Sequence, residues 1–338
     1  MAATAPALPA GITLRRLASQ DLGAVADIDA RITGRSRRDY FGRRLQAALR
    51  EPAFHLQFAL RQSDAVVGYV LGRKLEGEFG RPDPALRLEI IGVAPERQGE
   101  GLGRFLLAKL EEEARPLGIR ELRTQAAWRD HGMLRFLDRA GFQLGRNHVI
   151  DCPVHAGRIV ASKEPAPPRE PASVEINYGA PAANDFEKLE RDRADVRSLT
   201  LGDVAAAARI DLRITGRDQS AYIARRVEEA LRDSAIRVSL AAHRDGSVVG
   251  YIAAKVDFGD FGRTEPVAVI DTIAVDPGFA RLGIGTALVS QLFVNLEALK
   301  VERLETVVER ERLDLLAFFH RMGFAPSERL GFVKHLKR

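Results

Sequence analysis

The residues in this chain best suited to chemistry are glycines. Pro95-Glu96-Arg97-Gln98-Gly99-Glu100-Gly101-Leu102-Gly103-Arg104 follows an apolar stretch and opens a segment with Leu102, Leu106, Leu110 and Ala114 at helical spacing. A second version reads Pro277-Gly278-Phe279-Ala280-Arg281-Leu282-Gly283-Ile284-Gly285-Thr286. Glycines at a helix mouth let the backbone turn tightly and leave amide N–H groups uncovered. Those amides, with the positive end of the helix dipole, make an anion site. One charge–dipole contact is worth about 0.3–1 kcal/mol, so several amides must converge to hold a diphosphate. Neither loop ends in the Gly-Lys-Ser/Thr of a nucleoside-triphosphate loop. The dinucleotide fingerprint misplaces the third glycine and belongs to the first strand–helix turn of its domain, whereas this loop follows the fourth strand.

The loops are one element of a longer repeat. Arg31-Ile32-Thr33-Gly34-Arg35 returns as Arg213-Ile214-Thr215-Gly216-Arg217, and the same offset carries Gly68-Tyr69 to Gly250-Tyr251 and Gly141-Phe142 to Gly323-Phe324. One offset held over more than a hundred residues means two copies of one domain, far too long a period for a solenoid. Copy one spans residues 12–160 and copy two 174–337, with a stiff, Pro-rich linker at 161–173.

Within a copy, periodicity predicts a strand at 14–17 and a helix from Leu22 that Gly34 breaks. Tyr40, Arg44, Leu45, Ala48 and Leu49 predict a second helix, ended by Pro52. Strands follow at 54–61, 65–71 and 86–93, then the glycine loop and its helix. A strand at 121–126, a helix at 133–139 and a returning strand at 142–147 complete the copy. The order describes an α/β layer around one mixed sheet.

The 338 residues suit two domains, each large enough to bury a core. Hydrophobic content of 46% and charged content of 29% are those of a globular protein. No apolar run approaches the roughly 18 residues of a membrane span. The net charge of +5 comes with interleaved acids and no basic, aromatic-studded block, which argues against nucleic acid. The single cysteine, Cys152, excludes an intrachain disulfide, follows the predicted last strand of copy one without a neighbouring base, and fits a cytoplasmic protein. No metal-ligand spacing is present.

Gln98-x-x-Gly101-x-Gly103 after a Val-x-Pro strand end, with Gly141-Phe142 downstream, resembles the GNAT superfamily of acyl-CoA-dependent N-acetyltransferases, and the resemblance covers nearly all of both copies. It implies two tandem GNAT-like domains that use acetyl-CoA as co-substrate and a primary amine, on a small molecule or a protein lysine, as acceptor. It implies that loop amides of Gln98, Gly99, Glu100, Gly101, Leu102, Gly103 and Arg104 grip the CoA pyrophosphate. The backbone of Ile91, Gly92 and Val93 would pair with the pantetheine arm like an added strand. The matching residues in copy two are Ile273, Ala274 and Val275, with Arg281, Leu282, Gly283, Ile284, Gly285 and Thr286. Copy two departs at the first motif position, where Ala280 replaces Gln98 and Arg281 is the nearest substitute.

A lysine-like amine has a pKa of about 10.4, so its neutral form lies roughly 4–5 kcal/mol uphill at pH 7. A carboxylate must take that proton. Glu89 and Asp271 occupy equivalent positions, each four residues before the strand-ending Val93 or Val275. Strand alternation then sets carboxylate, Ile and Val on one face. The competing reading is a carboxylate solvated at the strand's start or paired with a neighbouring arginine. Glu78 and Asp260 are matched acids in reserve. A backbone N–H near Val93 or Val275 would hold the developing oxyanion. The tyrosine that the family commonly supplies as acid is Leu137 in copy one and Phe319 in copy two. His131 lies close by in sequence. Arg31, Thr33 and Arg35, with Arg213, Thr215 and Arg217, either select the acceptor or end a helix at a left-handed glycine. Tyr40 and Tyr222 read as core or cleft lining, and Trp128 has no counterpart in copy two. The alternative to a transferase is a CoA-binding sensor or scaffold; a third reading is a nucleotide-binding α/β protein. The duplication also raises the prospect of an internal pseudo-dimer in place of a homodimer.

Overall fold

The computed structural model describes residues 8–75, 84–155, 194–233, 238–257 and 259–336; Glu78 and the stretch 161–173 lie outside them. In the first half, β1 (Ile12–Arg16), β2 (His55–Gln62), β3 (Ala65–Leu75), β4 (Ala85–Val93) and β5 (Glu121–Ala127) lie side by side. Neighbours are antiparallel except β4 and β5, which run parallel. Helices α1 (Leu22–Thr33) and α2 (Arg38–Arg50) cover one face through Val25, Ile28, Phe41 and Leu45. Helices α3 (Leu102–Ala114) and α4 (His131–Arg139) cover the other through Leu106, Leu110 and Leu137. The second half repeats this with β8 (Asp195–Ser198), α5 (Val204–Thr215), α6 (Ser220–Asp233), β9 (Leu240–Arg244), β10 (Ser247–Asp257), β11 (Val267–Val275), α7 (Ile284–Ala298), β12 (Arg303–Glu309) and α8 (Leu313–Arg321).

The halves trade their last strands. The returning strand expected at 142–147 is broken into β6 (Gln143–Leu144) and β7 (Asn147–Pro153). β7 leaves its own sheet and pairs antiparallel with β12, from Glu309↔Asn147 to Arg303↔Pro153. In return, β14 (Arg329–His335) pairs with β5, from Arg329↔Ala127 to His335↔Glu121. The short strands β6 and β13 (Ala325–Pro326) close the exchanged edges, giving two seven-stranded sheets. The chain crosses at Gly145-Arg146, where Gly145 donates its N–H to Gly331 at 2.8 Å and Arg146 accepts from Arg310 at 2.9 Å. Cys152 therefore lies inside a strand, fully buried in the second half's core beside Ile150 and Val154. A fully buried aliphatic side chain contributes roughly 1.5–3 kcal/mol, so the exchange is fixed by packing as well as by the ladder.

Candidate active site

Each glycine loop adopts the predicted backbone. Gly99 and Gly101 have φ of +87° and +83°, and Gly101 caps α3. In the second half Gly283 repeats the cap at +79°, while the position of Gly99 is taken by Arg281 at +64°. A side chain held in the left-handed region costs about 1–2 kcal/mol, yet the loop keeps its course. The first N–H groups of α3 and α7 have no partner within their helices. Leu102 and Ile284 are buried, so they offer the loop only backbone. Gly103 packs where a Cβ would come within 3.2 Å of the Phe136 ring. The Gln98 side-chain amide donates to the Val93 carbonyl at 3.1 Å and ties the loop to the strand; Ala280 has no such group. Arg97 clamps Glu100 through two bonds of 2.7 Å.

The sheets open beside these loops. β4 and β5 pair at Leu86↔Leu122 and Arg87↔Arg123, whereas β4 stays paired with β3 as far as Val93↔Gly68. β11 and β12 pair only up to Ile270↔Thr306. Thr124 and Thr306 reach across each fork to the carbonyls of Leu88 (2.9 Å) and Ile270 (3.1 Å). Beyond the forks, Ile91–Val93 and Ile273–Val275 have a strand on one side alone among the described residues. An open strand edge running into a glycine-lined helix mouth fits an extended chain ending in a diphosphate, the shape of coenzyme A.

Both forks carry a β-bulge, and the extra residues are Glu89 and Asp271. Leu71 faces Ile90 and Gly72 faces Leu88; Ala253 faces Thr272 and Ala254 faces Ile270. The bulge corrects the alternation argument. Ile91 and Val93 pack on the α3 side, while Glu89 turns to Arg44 on α2. Period two ends wherever one strand gains a residue.

The two carboxylates meet different surroundings. Glu89 is 2% exposed, ion-paired with Arg44 and bonded to Arg87 at 2.7 Å. Burial pushes its carboxyl up, but Arg44 and Arg87 outweigh burial and hold it below the usual range. Arg87 also reaches Asp260 at 3.1 Å, and Tyr40 donates its hydroxyl to Asp260 at 2.6 Å. Burial pushes Asp260 up as well, yet Arg87, Lys255 and Arg44 drive it well below the carboxylate range. The second-half segment around Asp260 thus enters the first half between α2 and β4. Arg37 secures it, holding Asp29 at 2.7 Å and donating to the Gly259 and Arg263 carbonyls. The α2 side of the first fork is filled. Asp271, by contrast, is half-buried and lines a cavity of about 110 Å³ between the halves.

The remaining candidates divide clearly. Arg31 pairs with Glu96 and Arg213 with Asp276 (2.7 Å), which ties α1 and α5 to the segments that lead into the glycine loops. Thr33 and Thr215 donate to the Asp29 and Asp211 carbonyls at 2.9 and 2.8 Å, and Gly34 and Gly216 are left-handed at +75° and +70°. Arg35 reaches the Thr264 carbonyl at 3.5 Å, and the Arg217 N–H bonds Thr215 at 3.2 Å. The observed geometry is a helix stop. Leu137 and Phe319 are buried, Tyr40 and Tyr222 belong to the α-helical core, and His131 and Trp128 are exposed. At Glu89 the competing reading, a carboxylate paired with a neighbouring arginine, is the one observed. Asp29 and Arg37 escaped sequence reasoning as site residues, although Asp29/Asp211 and Tyr69/Tyr251 are matched polar residues in apolar stretches. Among the described residues there is no cluster of metal ligands and no helix long and apolar enough to cross a membrane.

The family model "Acetyltransferase (GNAT) family" matches residues 22–142 and 208–324. No curated protein matches the chain. A GCN5-related glucosamine N-acetyltransferase region of a fungal multi-domain beta-N-acetylglucosaminidase shares 15% identity at a TM-score of 0.63, over 96% of this chain and only 38% of that one. A tandem GNAT protein from the clavulanic acid biosynthesis pathway is similar over 97% of this chain and 99% of its own, at 16% identity and a TM-score of 0.62. Saccharomyces cerevisiae N-myristoyltransferase aligns over 99% of this chain and 82% of its own, at 10% identity and 0.59. Identities this low bear on the fold alone.

Proposed function

The chain belongs to the acetyltransferase (GNAT) family, and from that premise we propose that it moves an acetyl group from acetyl-CoA to a primary amine, with the second half as the working site. The supporting observation is the contrast at the bulge. Glu89 is locked between two arginines and faced by Asp260, while its counterpart Asp271 lines a cavity. Acetyl-CoA, when bound, supplies the activated acyl group: its C–S bond breaks as the N–C bond forms. The acceptor arrives as an ammonium, and one proton passes to Asp271, directly or through water. The proton shed by the nitrogen as the bond forms goes to the departing sulfur through solvent, because buried Phe319 stands where a donor would. A thiol of pKa about 8.5 needs little help to leave. Backbone N–H groups at the end of β11 stabilise charge on the acyl oxygen, and the amides of Arg281 to Thr286 orient the diphosphate.

The test is CoA thiol release from acetyl-CoA across a panel of amines. Turnover that falls by a factor of about 10² or more in Asp271→Asn, with acetyl-CoA binding retained, supports the reading. The second reading is a CoA-binding module without chemistry. It is favoured by the filled first fork and by Leu137 and Phe319, and it predicts CoA binding with no thiol release for any amine.

A further inference from the structure

The cavity beside Asp271 is built by both halves, and its two sides differ. At three positions related by the repeat, the first half supplies Arg87, Arg123 and Gln125, where the second half supplies Val269, Glu305 and Val307. Arg87 and Arg123 face each other across the last paired step of β4 and β5, and Gln125 follows two residues on, on the same side of β5.

Each has hydrogen-bonding capacity left over. Arg123 spends Nε and Nη2 on a single oxygen of Glu121 (3.0 and 2.6 Å), and its Nη1 makes no bond among the described residues. Arg87 spends Nη2 on Glu89 and Asp260, and its Nε is buried without a partner. The carbonyl oxygen of Gln125 accepts from Arg263 (3.3 Å) and Arg329 (3.4 Å), which turns its NH₂ away from both. Of these donors the Arg87 Nε is buried, and a buried donor is costly unless something accepts from it. Across the cavity, Glu305 is held by Arg263, and Asp271 lies at the bulge of β11, two residues before the open edge Ile273–Val275. Four cationic side chains (Arg87, Arg123, Lys255 and Arg263) line the cavity with two acids, and Glu89, Asp260 and Glu121 pair with Arg87 and Arg123. Between the poles the wall is apolar, with Val149, Val269, Ile270 and Phe332 among its residues. One water needs about 10–15 Å³ on this measure, so 110 Å³ takes a solute of roughly seven to eleven heavy atoms.

We propose that the first half completes the acceptor site of the second: Arg87, Arg123 and Gln125 bind the anionic group of a small amine whose nitrogen lies at Asp271. The acceptor is thus a compact molecule carrying both an amine and a carboxylate or phosphate. This deepens the transferase reading and rests on it.

Two measurements on the full chain decide it. The first follows thiol release with matched pairs, L-valine against isobutylamine and O-phosphoethanolamine against ethanolamine. One anionic member should exceed its uncharged partner by about tenfold or more in kcat/KM. Arg123→Gln and Gln125→Leu should each erase most of that preference while leaving the KM for acetyl-CoA unchanged. The arm that responds tells carboxylate from phosphate. Preference for the uncharged amines, or a preference that survives in both variants, overturns the proposal. If no amine releases thiol, the transferase reading fails separately. Calorimetry of the CoA-saturated protein with the same four compounds then decides: binding of an anionic amine that weakens about tenfold in Arg123→Gln sustains the site. No binding of either anionic amine, or binding equal in the variant, refutes it.

Discussion

Tyr40 and Asp260 are joined by a buried 2.6 Å hydrogen bond between residues 220 apart in sequence. The bond stitches the second half into the first on the α2 side of the first fork. It lies in a charge network with Arg87, Arg44 and Glu89, so the contact is electrostatic as well as steric.

Removing either partner should cost stability, and the losses should not add. Tyr40→Phe leaves Asp260 short of a donor and should cost about 1–3 kcal/mol. Asp260→Asn leaves Arg87 and Arg44 to share the single charge of Glu89 and should cost about 3–5 kcal/mol. Urea denaturation of the double mutant should give a coupling energy of about 0.5–3 kcal/mol. Simple additivity would show that the bond joins nothing.

Glu89 and Asp271 should respond in opposite ways to loss of charge. Asp271→Asn should lower kcat by a factor of about 10²–10⁴ and cost less stability than loss of the fully buried Glu89 charge, because Asp271 is only half-buried. Glu89→Gln should destabilise the chain by about 3 kcal/mol or more, because Arg44 and Arg87 keep their buried charges. Steady-state kinetics beside urea melts separate the two. A Glu89→Gln protein that is stable but inactive would move the reaction to the first half.

Acid should weaken the fold through His55. The imidazole is buried; burial and the Arg44 charge push its pKa down to about 4, while in the unfolded chain it is near 6.5. Between these values the unfolded state binds the extra proton. The stability contributed by the neutral ring is therefore whole above pH 6.5 and drains away as pH falls towards 4, to a total of about 3 kcal/mol. Glu89 and Asp260, both held low, lose their contribution only at more acid pH. His55→Gln should flatten the stability profile between pH 6.5 and 4, and a slope unchanged in that variant assigns it elsewhere.

Gly92 and Ala274 occupy equivalent positions, yet Gly92→Ala should not be neutral. A Cβ at Gly92 would lie 2.6 Å from the Tyr69 ring, which Asp29 holds by a 3.1 Å bond from the tyrosine hydroxyl. Overpacking of this kind costs about 1–3 kcal/mol. The reverse change, Ala274→Gly, removes one methyl group and should cost about 1 kcal/mol. Thermal melts of the two variants give the comparison.

The glycine loops and the duplication were legible because both are carried by residue type at fixed spacing. Gly101 and Gly283 need a left-handed backbone, and few residues but glycine supply it cheaply. The bulge at Glu89 was not legible, since an extra residue is defined against the partner strand rather than within its own. The exchange of 147–153 for 329–335 was hidden for a related reason: Val149, Ile150 and Cys152 alternate identically whichever sheet receives them. The pairing of Asp260 with Arg87 and Tyr40 joins distant segments through two polar side chains, which hydrophobic periodicity does not register.

Because each half finishes its sheet with the other's final strand, the two copies are not separately dispensable. Cleaving the backbone between residues 155 and 194 should yield two fragments that migrate together through gel filtration, bound by seven residue pairs on either side. Expressed alone, either fragment would present a bare edge on β5 or β12 and would have to borrow from a second copy of itself. A bivalent molecule of this kind is what joining two strand-trading monomers end to end would produce, and mutational damage to one copy is then felt as misfolding in its sibling.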